Sequence, residues 1–298
     1  MSDPLDPAAL RELVRAAIVE VLGEQAAPAP VTARPATRPT PEATEPDPVR
    51  RSPARRPLPP PLDPHAVDRI RRATPARVAQ GRTGTRYLTD VYLGLRADHA
   101  IALDAVHSEL PDDFAEQHGL TAVASRCETK DEFLLYPDHG RRLSDASRAL
   151  LEREGDRGTD VQVVAGDGLS AYALVQNGPA LVQALMRELP AAGFRVGKPI
   201  GARFARVGLQ DDVGVLLGAR ATVIIVGERP GLGTGDSLSI YTAFGPRLNQ
   251  DNSEKDCISN IRGLGLPPDE AARRCADLLR RTFAAGGGGI RLVQGRPS

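Results

Sequence analysis

Cysteine is scarce, and its spacing excludes two chemistries. Cys127, Cys257 and Cys275 stand far apart. They form no CxxC pair and no disulfide framework, which fits a reducing cytosol. The five histidines show no HxxxH or HExxH spacing, so a protein-built zinc site is not expected. Net charge is absent too: 38 Lys plus Arg balance 38 Asp plus Glu. A nucleic-acid binder usually carries a basic excess to neutralise phosphates, so no nucleic-acid partner is expected. No apolar run reaches the roughly 18–20 residues that cross a bilayer. The opening "MSDPLDPAALRELV" lacks a basic region followed by an apolar core, so it does not read as a secretory signal. A cytoplasmic protein without membrane contact is the expectation.

The sequence does hold 298 residues, 41% hydrophobic and 26% charged, enough for one or two domains with real cores. Residues 1–24 read as an amphipathic helical leader. Asp6 and Pro7 suit a helix start, and Leu10, Leu13, Val14, Ala17, Ile18, Val21 and Leu22 recur at helical spacing over 7–22. Residues 25–62 form a Pro-rich linker, and more than half of the 26 prolines lie before residue 65. The leader reads either as a simple tail or as a docking or encapsulation peptide on a tether.

Residues 63–155 read as a mostly helical N-terminal subdomain. Asp63 and Pro64 open a helix, Thr89 to Leu110 is a long one ended by Pro111, and another runs from about Ser144 to Glu154. Leu120–Ser125 is a strand candidate. Residues 156–298 alternate strands with helices. "DVQVV" and "ATVIIVG" are apolar strands, "FRVG" and "RFARV" short ones, and "SLSIYTAF" another. Helices are expected at 169–176, 179–191, "DDVGVLLG" closed by Gly218, and from Pro267–Pro268 to about Ala284. The fold class is therefore α/β: a Rossmann-like parallel sheet with helices on both faces.

Ligands of such sheets bind outside the carboxyl ends of the strands. Three segments at such places carry the candidate chemistry. Gly166-Asp167-Gly168-Leu169-Ser170-Ala171 matches GxGxxA, a variant of the dinucleotide fingerprint, but no acid ends the next strand where NAD recognition needs one. It reads otherwise as a tight turn, or as a loop whose amides approach another large ligand. Gly227 to Ser237 packs four glycines into nine residues after a buried strand. It lacks the Lys-Ser/Thr pair of a phosphate-cradling loop. Glu228 and Arg229 are either a solvated pair or, for Glu228, an acceptor for primary amides. Asp256 to Ile261 holds Cys257, which reads either as a buried structural thiol or as a ligand contact. No Ser/His/Asp trio falls in these loops, and His99 and His107 share one long helix, so a self-contained hydrolase is disfavoured.

The strings "ARVAQGRTGTRYLT", "DVQVVAGDGLS", "LGARATVIIVGERPGLGTGDSLSIY" and "CISNIRGLGLPP" resemble the ethanolamine ammonia-lyase light-chain family from about residue 68 onward. The resemblance implies an adenosylcobalamin-dependent lyase that turns ethanolamine into acetaldehyde and ammonia by radical chemistry. It implies that a large TIM-barrel subunit carries the substrate pocket, and that this chain closes over the cobalamin within a hetero-oligomer. It implies cofactor contacts at Val207 in "ARVGLQDD", Glu228 in "VGERPGLG" and Cys257 in "DCISNI", with no catalytic residue on this chain. Gly166, Asp167, Gly168, Ser170, Arg206, Arg229, Gly231 and Gly233 join that set by their place in the same loops. The leader over 7–22 is similar to an encapsulation peptide, which implies shell contact inside a bacterial microcompartment. A stand-alone NAD oxidoreductase and a non-catalytic scaffold subunit are the rival readings.

Overall fold

The computed structural model describes residues 63–74 and 76–294. The expected leader (1–24) and linker (25–62) lie outside the described residues. Helix α1 (Pro64–Ala73) starts where the sequence put it: Asp63 accepts a hydrogen bond from the Ala66 amide at 2.9 Å, and Pro64 occupies the first turn. A small ribbon of β1 (Arg82–Thr83) and β2 (Arg86–Tyr87) leads into α2 (Thr89–His107). That helix ends three residues before Leu110. Ser108 is extended there, and its hydroxyl donates back to the Ala105 carbonyl at 2.6 Å. Next come α3 (Phe114–Gln117), β3 (Thr121–Ala124), α4 (Lys130–Leu135) and α5 (Asp145–Glu154), the last capped by Ser144.

Strand β4 (Val161–Gly166) feeds α6 (Ala171–Ala191). Two helices, over 169–176 and 179–191, were expected, but one continuous helix forms with Pro179 in its interior. An interior proline costs about 3 kcal/mol. Leu174, Leu181, Leu185 and Leu189 are fully buried along this helix, and each buried leucine contributes roughly 1.5–3 kcal/mol, so tertiary packing outweighs the break. Strand β5 (Ile200–Arg203) replaces both short strands expected around it. "FRVG" makes only an isolated bridge, Val161 with Val196, and "RFARV" leaves the sheet at Phe204, whose φ is 52°. The remaining elements are α7 (Leu209–Leu217), closed by Gly218 at φ 64°, then β6 (Ala221–Gly227), β7 (Leu238–Phe244), β8 (Lys255–Ile261), α8 (Pro268–Ala285) and α9 (Ile290–Gln294).

Six strands form one mixed sheet in the order β3-β5-β4-β6-β7-β8. The first four are parallel; β7 and β8 are each antiparallel to their inner neighbour. The expectation of an all-parallel sheet is corrected at this edge. A parallel neighbour needs a long crossover, usually a helix. The loop after β6 contains none, so the chain returns beside β6 in the opposite sense. Strand β3, drawn from the segment before residue 155, is the other edge of the same sheet.

Both faces are covered, as strand alternation requires. Val163, Ala165, Val223 and Ile225 point to the face packed by α6 and α8. Val164, Ile200, Ile224 and Val226 point to the face packed by α5 and α7. Asp212 ties those two helices together, accepting from the Leu143 amide at 2.9 Å and from Arg148 at 2.6 Å.

A buried ion pair fastens the start of β8 to α7. Lys255 Nζ lies 2.8 Å from Asp211 Oδ2, with both side chains 2% exposed. Burial pushes the Asp211 carboxyl up, and Lys255 pulls it back down. Removing one partner strands a charge in low dielectric. Lys255→Met is therefore expected to cost about 3–5 kcal/mol in urea unfolding, while Lys255→Met combined with Asp211→Leu recovers most of the loss. Equal destabilisation by the single and double variants would contradict this.

Candidate functional site

A cavity of about 600 Å³ opens on the α5/α7 face, at the carboxyl end of β6 and along the antiparallel edge. Three turns wall it: Gly168–Leu169 after β4, Ala205–Val207 after β5, and Gly227–Arg229 after β6. Ser239 and Tyr241 of β7, Cys257 and Ser259 of β8, and Phe133 of α4 complete it. Val207, Glu228 and Cys257, spread over fifty residues of sequence, are thus brought to one cavity, with Gly168, Arg206 and Arg229 beside them.

Glu228 is anchored rather than free. Its Oε1 accepts from the Ser239 hydroxyl at 2.5 Å and from the Asn260 amide at 2.9 Å. Both bonds go to the same oxygen, and Oε2 has no hydrogen-bond partner among the described residues. The second donor exists because β8 carries a bulge. Pairing runs Ile240 with Ile258, then Leu238 with Ile261, so β8 holds one extra residue. Asn260 absorbs it at φ 58°, and its amide turns out of the ladder towards Glu228.

Tyr241 and Cys257 face each other across β7 and β8. Burial, reinforced by Cys257 and Glu228, pushes the Tyr241 phenol up to about 12. Cys257 is exposed at the cavity mouth, and desolvation raises its thiol as well. A thiol with a raised pKa is a poor nucleophile, so Cys257 offers a small neutral contact rather than covalent chemistry. Arg206 lies over the Phe133 ring, 4.5 Å from its centroid, and its Nη2 donates to the Phe133 carbonyl at 2.6 Å.

The other glycine-loop residues lie off the cavity. Gly166 is buried at the end of β4. Asp167 is 1% exposed and directed into the protein. Ser170 caps α6 through the Ala173 amide at 3.1 Å and donates to the Gly235 carbonyl at 2.7 Å. Gly231 closes a small hairpin with Thr234, and Gly233 sits beside Asp98 of α2. The amino end of α6 is closed as well, since Ser108 Oγ takes the Tyr172 amide at 2.9 Å. The amides of Leu169, Tyr172 and Ala173, at the place where a dinucleotide pyrophosphate would sit, are spent on protein groups. The glycines after β4 and β6 serve each other: a Cβ on Gly168, itself at φ 58°, would stand 2.4 Å from the Gly227 carbonyl oxygen. Cys127 and Cys275 are buried structural cysteines, and His99 and His107 are exposed on α2.

Ser239, Tyr241, Ser259, Phe133 and Leu169 were missed from sequence. The period-two alternation of "SLSIY" carries the signal for two of them, since Ser239 and Tyr241 share the face opposite Leu238 and Ile240. Among the described residues, no group of three His, Cys, Asp or Glu side chains could hold a metal ion. No described helix is long and apolar enough to cross a membrane.

Asp167 gives the site a pH signature. Burial raises its carboxyl from 3.8 to about 6, against the opposing amides of Ala205 and Phe204 and the charge of Lys130. A carboxyl raised on folding contributes stability that is full below its unfolded value and lost as pH rises through its folded value. Wild-type protein should therefore lose on the order of 3 kcal/mol relative to Asp167→Asn between about pH 4 and pH 6. Urea unfolding of the two proteins across that window measures it, and parallel profiles would refute it.

Comparison with known proteins adds the family. The model of the ethanolamine ammonia-lyase light chain (EutC) matches residues 64–293. A protein of Fusobacterium nucleatum subsp. nucleatum named ethanolamine ammonia-lyase small subunit is 41% identical over 215 residues, covering 72% of this chain and 73% of that protein. With the family match spanning nearly every described residue, the chain belongs to the ethanolamine ammonia-lyase light-chain family.

Proposed function

We propose that this chain is the small subunit of an adenosylcobalamin-dependent ethanolamine ammonia-lyase, and that it clamps the cobalamin against a large TIM-barrel subunit that holds ethanolamine. One observation supports this most: Val207, Glu228 and Cys257, named from three separate segments, line one cavity. The sheet is Rossmann-like in its layers and in the crevice at its parallel carboxyl ends, with a strand order of its own.

The lining suits a corrinoid. Such a ligand is broad and apolar on its faces, with primary amides at its fringe. Val207, Leu169, Val226 and Phe133 supply apolar wall. Glu228 Oε2 is a charged acceptor for an amide N–H, held in place by Ser239 and Asn260. Arg206 and Arg229 are donors for amide carbonyls. Cys257 packs as a small neutral group. About 600 Å³ holds only part of such a ligand with its side chains, so the rest must be covered by a partner surface. When bound, the cofactor supplies the one-electron chemistry of its cobalt–carbon bond. This chain's residues orient it and exclude water; none of them touches ethanolamine in this reading. The assembly is a cytoplasmic hetero-oligomer, and residues 7–22 address it to a microcompartment shell.

Co-expression with the large subunit should yield a complex that releases acetaldehyde from ethanolamine only when adenosylcobalamin is added. Glu228→Ala should weaken cobalamin binding by that complex roughly 10- to 100-fold, the worth of one charged acceptor, while the complex still assembles. An unchanged dissociation constant would remove Glu228 from the site. Deleting residues 1–62 should leave aldehyde release nearly intact, and loss of most activity would contradict a purely addressing role for the leader.

A further inference from the structure

Asp167 does not line the cavity, yet it determines the course of the chain that does. Its Oδ2 accepts from the Phe204 amide and its Oδ1 from the Ala205 amide, both at 2.8 Å. Two consecutive main-chain donors meet one carboxylate, a fork that fixes the peptide plane between them. The plane is an unusual one. Phe204 has φ 52°, a left-handed conformation that an aromatic L-residue adopts only when its surroundings impose it.

The turn that follows is Ala205-Arg206-Val207, one wall of the cavity. The Phe204 ring packs near Phe133, 6.0 Å between centroids, and Phe133 is itself cavity lining. Arg206 returns over the same ring, and its amide donates to the Gly140 carbonyl at 2.8 Å. Lys130, buried on α4, places its ammonium 5.2 Å from the Phe133 centroid, and that ammonium has no hydrogen-bond partner among the described residues. Its charge favours the ionised form of Asp167. A carboxylate buried this deeply works against stability, as its raised pKa records. That cost falls directly beneath a cavity wall, where the carboxylate's two oxygens hold two consecutive main-chain amides.

We propose that Asp167 is the positioning residue of this site: by gripping the Phe204 and Ala205 amides it holds Arg206, Val207 and Phe133 in the arrangement that receives the corrinoid. The inference rests on the reading of the cavity given above. It assigns Asp167 no contact with the ligand; the residue acts through preorganisation of the β5–α7 turn.

The test uses the complex of this chain with its large subunit at one pH near neutrality. Hydroxocobalamin is titrated into wild type and Asp167→Asn and followed by corrin absorbance, and complex formation is checked by gel filtration. The variant should assemble normally and raise the cobalamin dissociation constant by about tenfold or more. With adenosylcobalamin and ethanolamine it should raise the coenzyme KM while kcat at saturating coenzyme stays near wild type. Mere loss of folded protein would instead lower apparent kcat at unchanged KM, and would overturn the proposal. So would binding within about twofold of wild type. Should Asp167→Asn fail to assemble, Lys130→Met leaves the carboxylate but removes its neighbouring charge, and should raise the dissociation constant about threefold. No change there would also overturn it. If the wild-type complex takes up no cobalamin, the corrinoid reading of the cavity fails, and this inference with it.

Discussion

Carboxylates gripping main-chain amides hold this molecule's working edge together. A carboxylate removed from water must be met by donors, and main-chain N–H groups at strand ends are donors in need of acceptors. Asp167 serves the turn after β5, Asp212 the amide of Leu143, and Glu228 the amide of Asn260. Each contact joins segments far apart in sequence, so each acts as a cross-brace rather than a local cap. The loops at this rim carry few large apolar side chains of their own. Without such braces, the walls would be set by the conformational freedom of glycine-rich chain.

Much of the fold could be read from the residues. The apolar run of β6 and the cap signals at Asp63 and Gly218 state local physics that the tertiary structure respects. What misled was local physics that the tertiary structure overrides. The patterns over 169–176 and 179–191 read as separate helices, yet buried leucines on both sides carry α6 through Pro179. "RFARV" reads as a strand, yet a carboxylate 37 residues earlier turns the chain at Phe204, and no window of sequence contains both ends of that contact.

The site was legible in outline for a similar reason. Residues at the ends of apolar strands are easy to find, so Glu228 and Arg229 come forward from sequence, whereas Val207 enters only through the family resemblance. Which glycines face a ligand and which face each other is a three-dimensional matter. Gly168 and Gly227 press backbone on backbone, and Gly231 and Gly233 belong to a hairpin over α2. Tyr241 and Ser239 were overlooked because each is an ordinary residue of an ordinary strand. Their importance comes from lying opposite Cys257 and beside Glu228, across an antiparallel edge that the parallel expectation did not include.

The bulge in β8 has a consequence for how that edge can vary. Ile258 and Ile261 are three apart, a spacing that belongs to a helix, yet both pack beneath α8. They manage it because Asn260 lets the strand step out of phase by one position. Shortening β8 by that residue would give a straighter strand with a complete ladder. Ile258 and Ile261 would then stand two apart and still share the core face, but the Asn260 amide would be withdrawn from Glu228. The irregular residue is thus one the core could do without: regular alternation would seat both isoleucines, and what the extra position secures is the donor that holds Glu228 at the cavity.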